Sequence, residues 1–129
     1  RSLGLTLGRH PLALLRGRLE ACGLAPASRL HELAHGARAR VAGLVLVRQR
    51  PGSASGVTFV TLEDETGVVN LVVWKRVAER FRRALLGARL LEAAGTVQRE
   101  GDVLHLVVGR LADRSALLGD LDARSRDFH

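Results

Sequence analysis

A mainly β fold, a closed barrel of five strands with one helix between the third and fourth, is predicted by three features of this chain. Runs rich in alternating β-branched residues recur five times, and turns bearing glycine punctuate them. Among the stretches between those runs, residues 76–86 carry apolar side chains at helical spacing. The first run is the longest and contains Gly43, as expected of the long bent first strand of a small barrel.

Taken in order, residues 1–10 hold Gly4 and Gly8 and end in His10 before Pro11, the pattern of an extended lead-in. A helix is expected from Pro11, with Leu12, Leu15, Leu19 and Cys22 on one face and Gly23 at its close. Cys22 is expected to be a small buried apolar residue. A second helix is expected over 28–35, with Ser28 as N-cap, Leu30 and Leu33 inward and Gly36 as the stop. Strand one follows over 38–50, and RPGSASG at 50–56 is the most loop-like piece of the chain. Strands two and three, 57–63 and 68–74, form a hairpin through a tight turn at 64–67, where Gly67 supplies a permissive backbone. An amphipathic helix is expected over 76–86, with Val77, Phe81, Ala84 and Leu85 inward and Gly87 as its stop. Strands four and five, 89–99 and 103–111, meet at the turn Glu100, Gly101, Asp102. A short turn around Ala116 and a charged tail complete the chain. Three segments are therefore expected: helical over 1–37, barrel over 38–112, turn and charged tail over 113–129.

Composition bounds the function. With 129 residues, 47% of them hydrophobic and 26% charged, the chain can bury a core, and no apolar run approaches the roughly 20 residues of a membrane helix. The net charge of +7 points to a polyanionic partner, nucleic acid first. Lys75 is the one lysine, so nearly all the positive charge is arginine. A single cysteine excludes an internal disulfide and fits a reducing compartment, and no secretory or transit signal is visible; a cytoplasmic location is expected. No metal site is expected, because His31 and His35 share a helical face without a third ligand. Glu63, Asp64 and Glu65 are consecutive at a strand end and point in different directions, so they form a turn and not a catalytic constellation; no catalytic residue is assigned.

Alternation along the hairpin assigns two faces. Val60, Leu62, Val69, Leu71 and Val73 form the core set, while Phe59, Thr61, Glu63, Asn70, Val72 and Trp74 share the other side. Aromatic rings mixed with polar groups on a strand pair suit stacking of bases and hydrogen bonding to their edges. Phe59 and Trp74 are the candidate platforms, with Val72 between them, and Thr61 and Asn70 are the candidate polar contacts. Arg48 and Arg50 are expected to hold phosphates at one end of the groove and Arg99 at the other, with Glu63 opposing them. The order strand, strand, strand, helix, strand, strand is that of an oligonucleotide-binding (OB) barrel, whose ligands lie across strands two and three.

The run AGLVLVRQRPGSASGVTFVTLEDETGVVNLVVW at 42–74 resembles the C-terminal OB-fold domain of bacterial C-family DNA polymerase alpha subunits, in particular their error-prone branch. HPLALLR at 10–16, GARLLEAAGTVQREGDVLHLVVGRL at 87–111 and SRDFH at 125–129 are similar to the same branch, so the likeness covers nearly the whole chain. It departs at Lys75, where the family tends to have proline. The resemblance implies a piece of a DNA-directed DNA polymerase used in damage-induced mutagenesis. Mg²⁺ and deoxynucleotides are implied for the parent enzyme, and no cofactor or activity for this piece. Single-stranded DNA is the partner implied; the alternative is docking of accessory mutagenesis proteins through the tail at 115–129 or the basic helix at 76–83. A weaker likeness is to the anticodon-binding barrels of some aminoacyl-tRNA synthetases, where the position of Glu63 is usually basic.

Overall fold

Strict alternation over two seven-residue runs fixes the centre of the molecule. In the computed structural model, which describes the backbone of residues 10–52 and 55–126 and side chains as far as 121, β2 (Thr58–Asp64) and β3 (Gly67–Val73) pair antiparallel from Thr58 opposite Val73 to Asp64 opposite Gly67. The inward set of Val60, Leu62, Val69, Leu71 and Val73 is at most 3% exposed, so burial drives the register: a slip of one residue would turn all five to solvent. Of the lead-in expected over 1–10, residues 1–9 lie outside the described residues, as do the last three residues of the chain.

Around this hairpin the sheet closes. The first part of β1 (Arg38–Gln49) pairs with β4 (Leu90–Glu100) through Leu44, and from Leu44 onward it pairs with β2. β5 (Val103–Asp113) runs antiparallel to β4 and parallel to β3, giving the closed order β1, β2, β3, β5, β4. Gly43 sits where β1 changes partners; a Cβ there would lie 2.9 Å from that of Leu62 and 3.0 Å from the Glu63 carbonyl oxygen, so only glycine lets β2 come this close. The bulge itself falls later, between Val45 and Val47.

The helices depart further from expectation than the strands. The single helix expected over 76–86 is two, α3 (Lys75–Arg80) and α4 (Arg82–Gly87), because Phe81 leaves helical geometry at φ −112° and ψ 35° and packs on the barrel core with Val77 and Ala84. α1 (Pro11–Ala21) buries Leu12, Leu15 and Leu19 as expected, against Ala42 and Leu90 of the barrel wall. Cys22 is exposed, contrary to expectation, because the helix ends at Ala21 and its periodicity stops there.

α2 (Ala27–Leu30) is shorter than expected and Ser28 is not its cap. The hairpin turn caps it from outside: Asp64 Oδ2 accepts the Ala27 N–H at 2.7 Å, and Thr66 Oγ1 accepts the Ser28 N–H at 3.0 Å. In place of a turn and tail, residues after 115 form an eleven-residue helix, α5 (Ala116–Arg126), whose Leu117, Leu118 and Leu121 join the cluster of α1.

Candidate nucleic-acid interface

The outward positions of β2 and β3 build the face read from alternation. Phe59 stands opposite Val72 and Thr61 opposite Asn70; Trp74, one residue past β3, lies diagonal to Phe59 on the same side. Both rings are open to solvent, Phe59 at 37% and Trp74 at 50%. Val72 points outward but is buried at 8%, because Phe59 flanks it on one side and Val107 of β5 on the other. Val72 is thus largely covered in the row beside the ring of Phe59, and offers a ligand little surface of its own.

Thr61 and Asn70 are oriented by one another. The Thr61 hydroxyl donates to Asn70 Oδ1 at 3.1 Å, which leaves the Asn70 amide NH₂ free to donate outward. Glu63 faces His10 rather than an arginine. His10 Nδ1 accepts the Leu12 N–H at 3.1 Å, capping α1, so the ring proton lies on Nε2 and donates to Glu63 Oε1 at 3.2 Å.

The other two acids of the turn are structural, as expected. Asp64 Oδ1 accepts the N–H groups of Thr66 and Gly67 and the Thr66 hydroxyl. Glu65 takes a fork of two bonds from Arg16, 2.6 Å from Nε and 2.9 Å from Nη2. The hydrogen bond to Arg16 holds the Glu65 carboxyl below its ordinary range against the opposing effect of burial, and raises Arg16 in return. With these acids occupied, and no cluster of three or more metal-ligating side chains among them, the described residues offer no fitting ligand set for the Mg²⁺ that the resemblance implies for a parent enzyme.

The expected phosphate-binding arginines divide. Arg48 donates through Nε to the Leu85 carbonyl at 2.6 Å and through Nη2 to that of Ala88, closing the C-terminus of α4. Arg99 donates through Nε to the Leu33 carbonyl at 2.7 Å and through Nη2 to that of His31, while its backbone N–H donates to His35 Nδ1. Both guanidinium groups thus tie the chain to itself. Of the three, Arg50 alone is free: it is exposed, makes no hydrogen bond or ion pair with a described residue, and lines a cleft of about 240 Å³ with the tethered Arg48 and with Lys75, Arg82, Thr58 and Leu86. Lys75 and Arg82 are equally unpartnered among the described residues, and Glu79 is the one acid on the wall. The sequence places Arg82 on a basic helix and Lys75 just before it; the signal for a groove is Gly56, whose positive φ of 68° and missing side chain let the Lys75 stem lie across the loop beside β2.

Residues 39–113 match the tRNA anti-codon family model, described as OB-fold nucleic acid binding domain. The chain belongs to this family of OB-fold nucleic acid binding domains. The resemblance read from the sequence also holds. The chain is 63% identical to an error-prone DNA polymerase of Alkalilimnicola ehrlichii over 99% of its own length, and 59% identical to one of Pseudomonas fluorescens over 98%. It spans 12% of the length of each of these relatives. Among solved structures, asparaginyl-tRNA synthetase from Pyrococcus horikoshii is similar at 28% identity and a TM-score of 0.56, over 69% of this chain and 22% of the synthetase. The OB-fold domain described here carries no helix, among the described residues, long and apolar enough to cross a membrane.

Proposed function

We propose that the β2–β3 face binds single-stranded DNA, and that the domain holds template for an error-prone DNA polymerase acting in damage-induced mutagenesis. The observation that carries this is the pair of uncovered rings, Phe59 and Trp74, on one face of one hairpin. Successive bases stack on the two rings, which tolerate any base because every base has a flat π-face. The free Asn70 amide donates to a base carbonyl or ring nitrogen, and Arg50, Lys75 and Arg82 hold phosphates where the strand passes the cleft. Template-directed synthesis, with its Mg²⁺ and deoxynucleotides, belongs in this reading to the remainder of the parent protein. The similarity to error-prone DNA polymerases supports DNA as the strand, and the similarity to a tRNA synthetase sets RNA as the comparison to make.

Titration with oligo-dT, following the emission of Trp74, tests the reading directly. Emission is expected to change on binding, and log affinity to fall by about 0.7 per phosphate contact with log salt, so about 2 for three cations. Unchanged emission with no mobility shift at low salt overturns it, and a preference for RNA of equal sequence transfers it to RNA. Docking of accessory mutagenesis proteins has less support at the tail, where Leu117, Leu118 and Leu121 already pack with α1. A pull-down lost on deleting residues 112–129, with strand binding intact, would favour docking.

A further inference from the structure

The outside of the barrel carries a second arginine-rich surface, on the wall formed by β1, β4 and β5. Arg40, Ala94 and Arg110 are aligned across the three strands, and Arg38, Thr96 and Val107 form the next outward row. These residues line a groove of about 800 Å³ whose floor is Ala39, Ala94, Gly95 and Gly109. The floor is kept bare by packing and not by chance: a Cβ on Gly95 would stand 2.1 Å from the Val107 carbonyl oxygen, at the irregularity between Ala94 and Gly95. A second hollow of about 430 Å³ continues the groove past Gly23 and adds Arg29 and Glu20.

The charges here are available. Arg38, Arg110 and Arg29 are exposed and make no side-chain hydrogen bond or ion pair with a described residue. Arg40 shares the buried Glu92 with Arg114, at 3.1 Å and 2.7 Å, so that carboxylate is doubly compensated, and Arg40 Nε is a buried donor without a partner. Aromatic rings, in contrast, are missing from the lining. A surface of guanidinium groups over a floor of small residues grips phosphates but gives unpaired bases nothing to stack on.

We infer that this groove binds the sugar–phosphate backbone of double-stranded DNA, whose bases are already stacked inside the helix. The outward row Phe59, Val72, Val107, Thr96, Arg38 runs from one surface to the other across β2, β3, β5, β4 and β1, so one nucleic acid can meet both: unpaired strand on the rings, duplex on the arginines.

The experiment uses the 129-residue chain and two fluorescein-labelled probes, a blunt 20-base-pair duplex and oligo-dT, with anisotropy as readout. The double substitution Arg38→Ala, Arg110→Ala removes two exposed, unpartnered side chains. It is expected to weaken duplex binding roughly tenfold at low salt, lower the duplex salt slope by about 2 and leave oligo-dT binding within twofold. Phe59→Ala is expected to do the reverse. Duplex affinity unchanged in the double variant overturns the inference, as does an equal loss on both probes. Because the duplex probe does not depend on the rings, failure of oligo-dT binding alone leaves this groove standing while removing the single-strand proposal. Thermal melts of both variants confirm that the fold is kept.

Discussion

Phe59 stands at the end of an apolar row on the outside of the sheet. Val72 and Val107 fill the row beside it, so truncating the ring removes a stacking platform without opening the core. Phe59→Ala is therefore expected to cost about 1–3 kcal/mol in oligo-dT binding, five- to more than a hundredfold in affinity, with a melting temperature close to that of the parent. A melting temperature that falls together with affinity would mark the ring as core. Arg48→Ala should behave in the opposite way. Its two bonds close α4, and loss of charged donors from carbonyls costs about 1–3 kcal/mol of stability. Urea unfolding should show that loss, while the salt slope for oligo-dT stays unchanged; a slope that falls by a full phosphate contact would show that Arg48, which also lines the cleft, meets phosphate as well.

At the scale of the element, the turn between β2 and β3 acts as a clasp for α1 and α2. The Glu65 carboxyl is held below its unfolded value by the Arg16 hydrogen bond, so its contribution to stability is complete above the unfolded pKa near 4.5 and disappears as pH falls through the lower folded value. Glu92 has the same sign: burial pushes it up, but the hydrogen bonds from Arg114 and Arg40 prevail and hold it low. Glu65→Gln is expected to cost about 1–3 kcal/mol at neutral pH and nothing below the folded pKa. Melting curves of parent and variant from about pH 7 to about pH 3 should converge toward the acid end; a constant gap would show that the clasp is not ionic. Gly95 gives a steric prediction of the same scale. With a Cβ meeting the Val107 carbonyl, Gly95→Ala is expected to cost roughly 3 kcal/mol or more in urea unfolding, and Gly52→Ala, with open space around it, almost nothing.

These elements also show what a sequence discloses and what it withholds. The hairpin was legible because its pattern has a period of two and each half is buried on one face, so local sequence and tertiary burial agree. The break at Phe81 was not, since Phe81 keeps helical spacing with Val77 and Leu85 and only packing on the barrel displaces it. The roles of Arg48 and Arg99 were equally hidden, because their carbonyl partners lie 37 to 68 residues away. The face was readable; which cations border it depended on the fold.

For the whole molecule, the decisive fact is that α1, α5 and the barrel wall share one buried cluster, in which Leu12, Leu15 and Leu19 cover Ala42 and Leu90. A chain beginning at residue 38 loses that cover, the Arg16 fork and the partners of Asp64 in α2. Three leucines at about 2 kcal/mol each come to about 6 kcal/mol, set against a total stability of roughly 5–15 kcal/mol for a domain of ordinary size. The truncated barrel is therefore expected to be largely unfolded or aggregated at 25 °C, although residues 39–113 are the part matched by the family model. The full chain should instead unfold in one urea transition, with Trp74 emission from the barrel and far-UV circular dichroism from the helices tracing the same curve. Separated curves, or a truncated chain melting at the parent temperature, would show that α1 rests on a barrel already complete without it, and the binding face would then have to be treated as independent of the clasp.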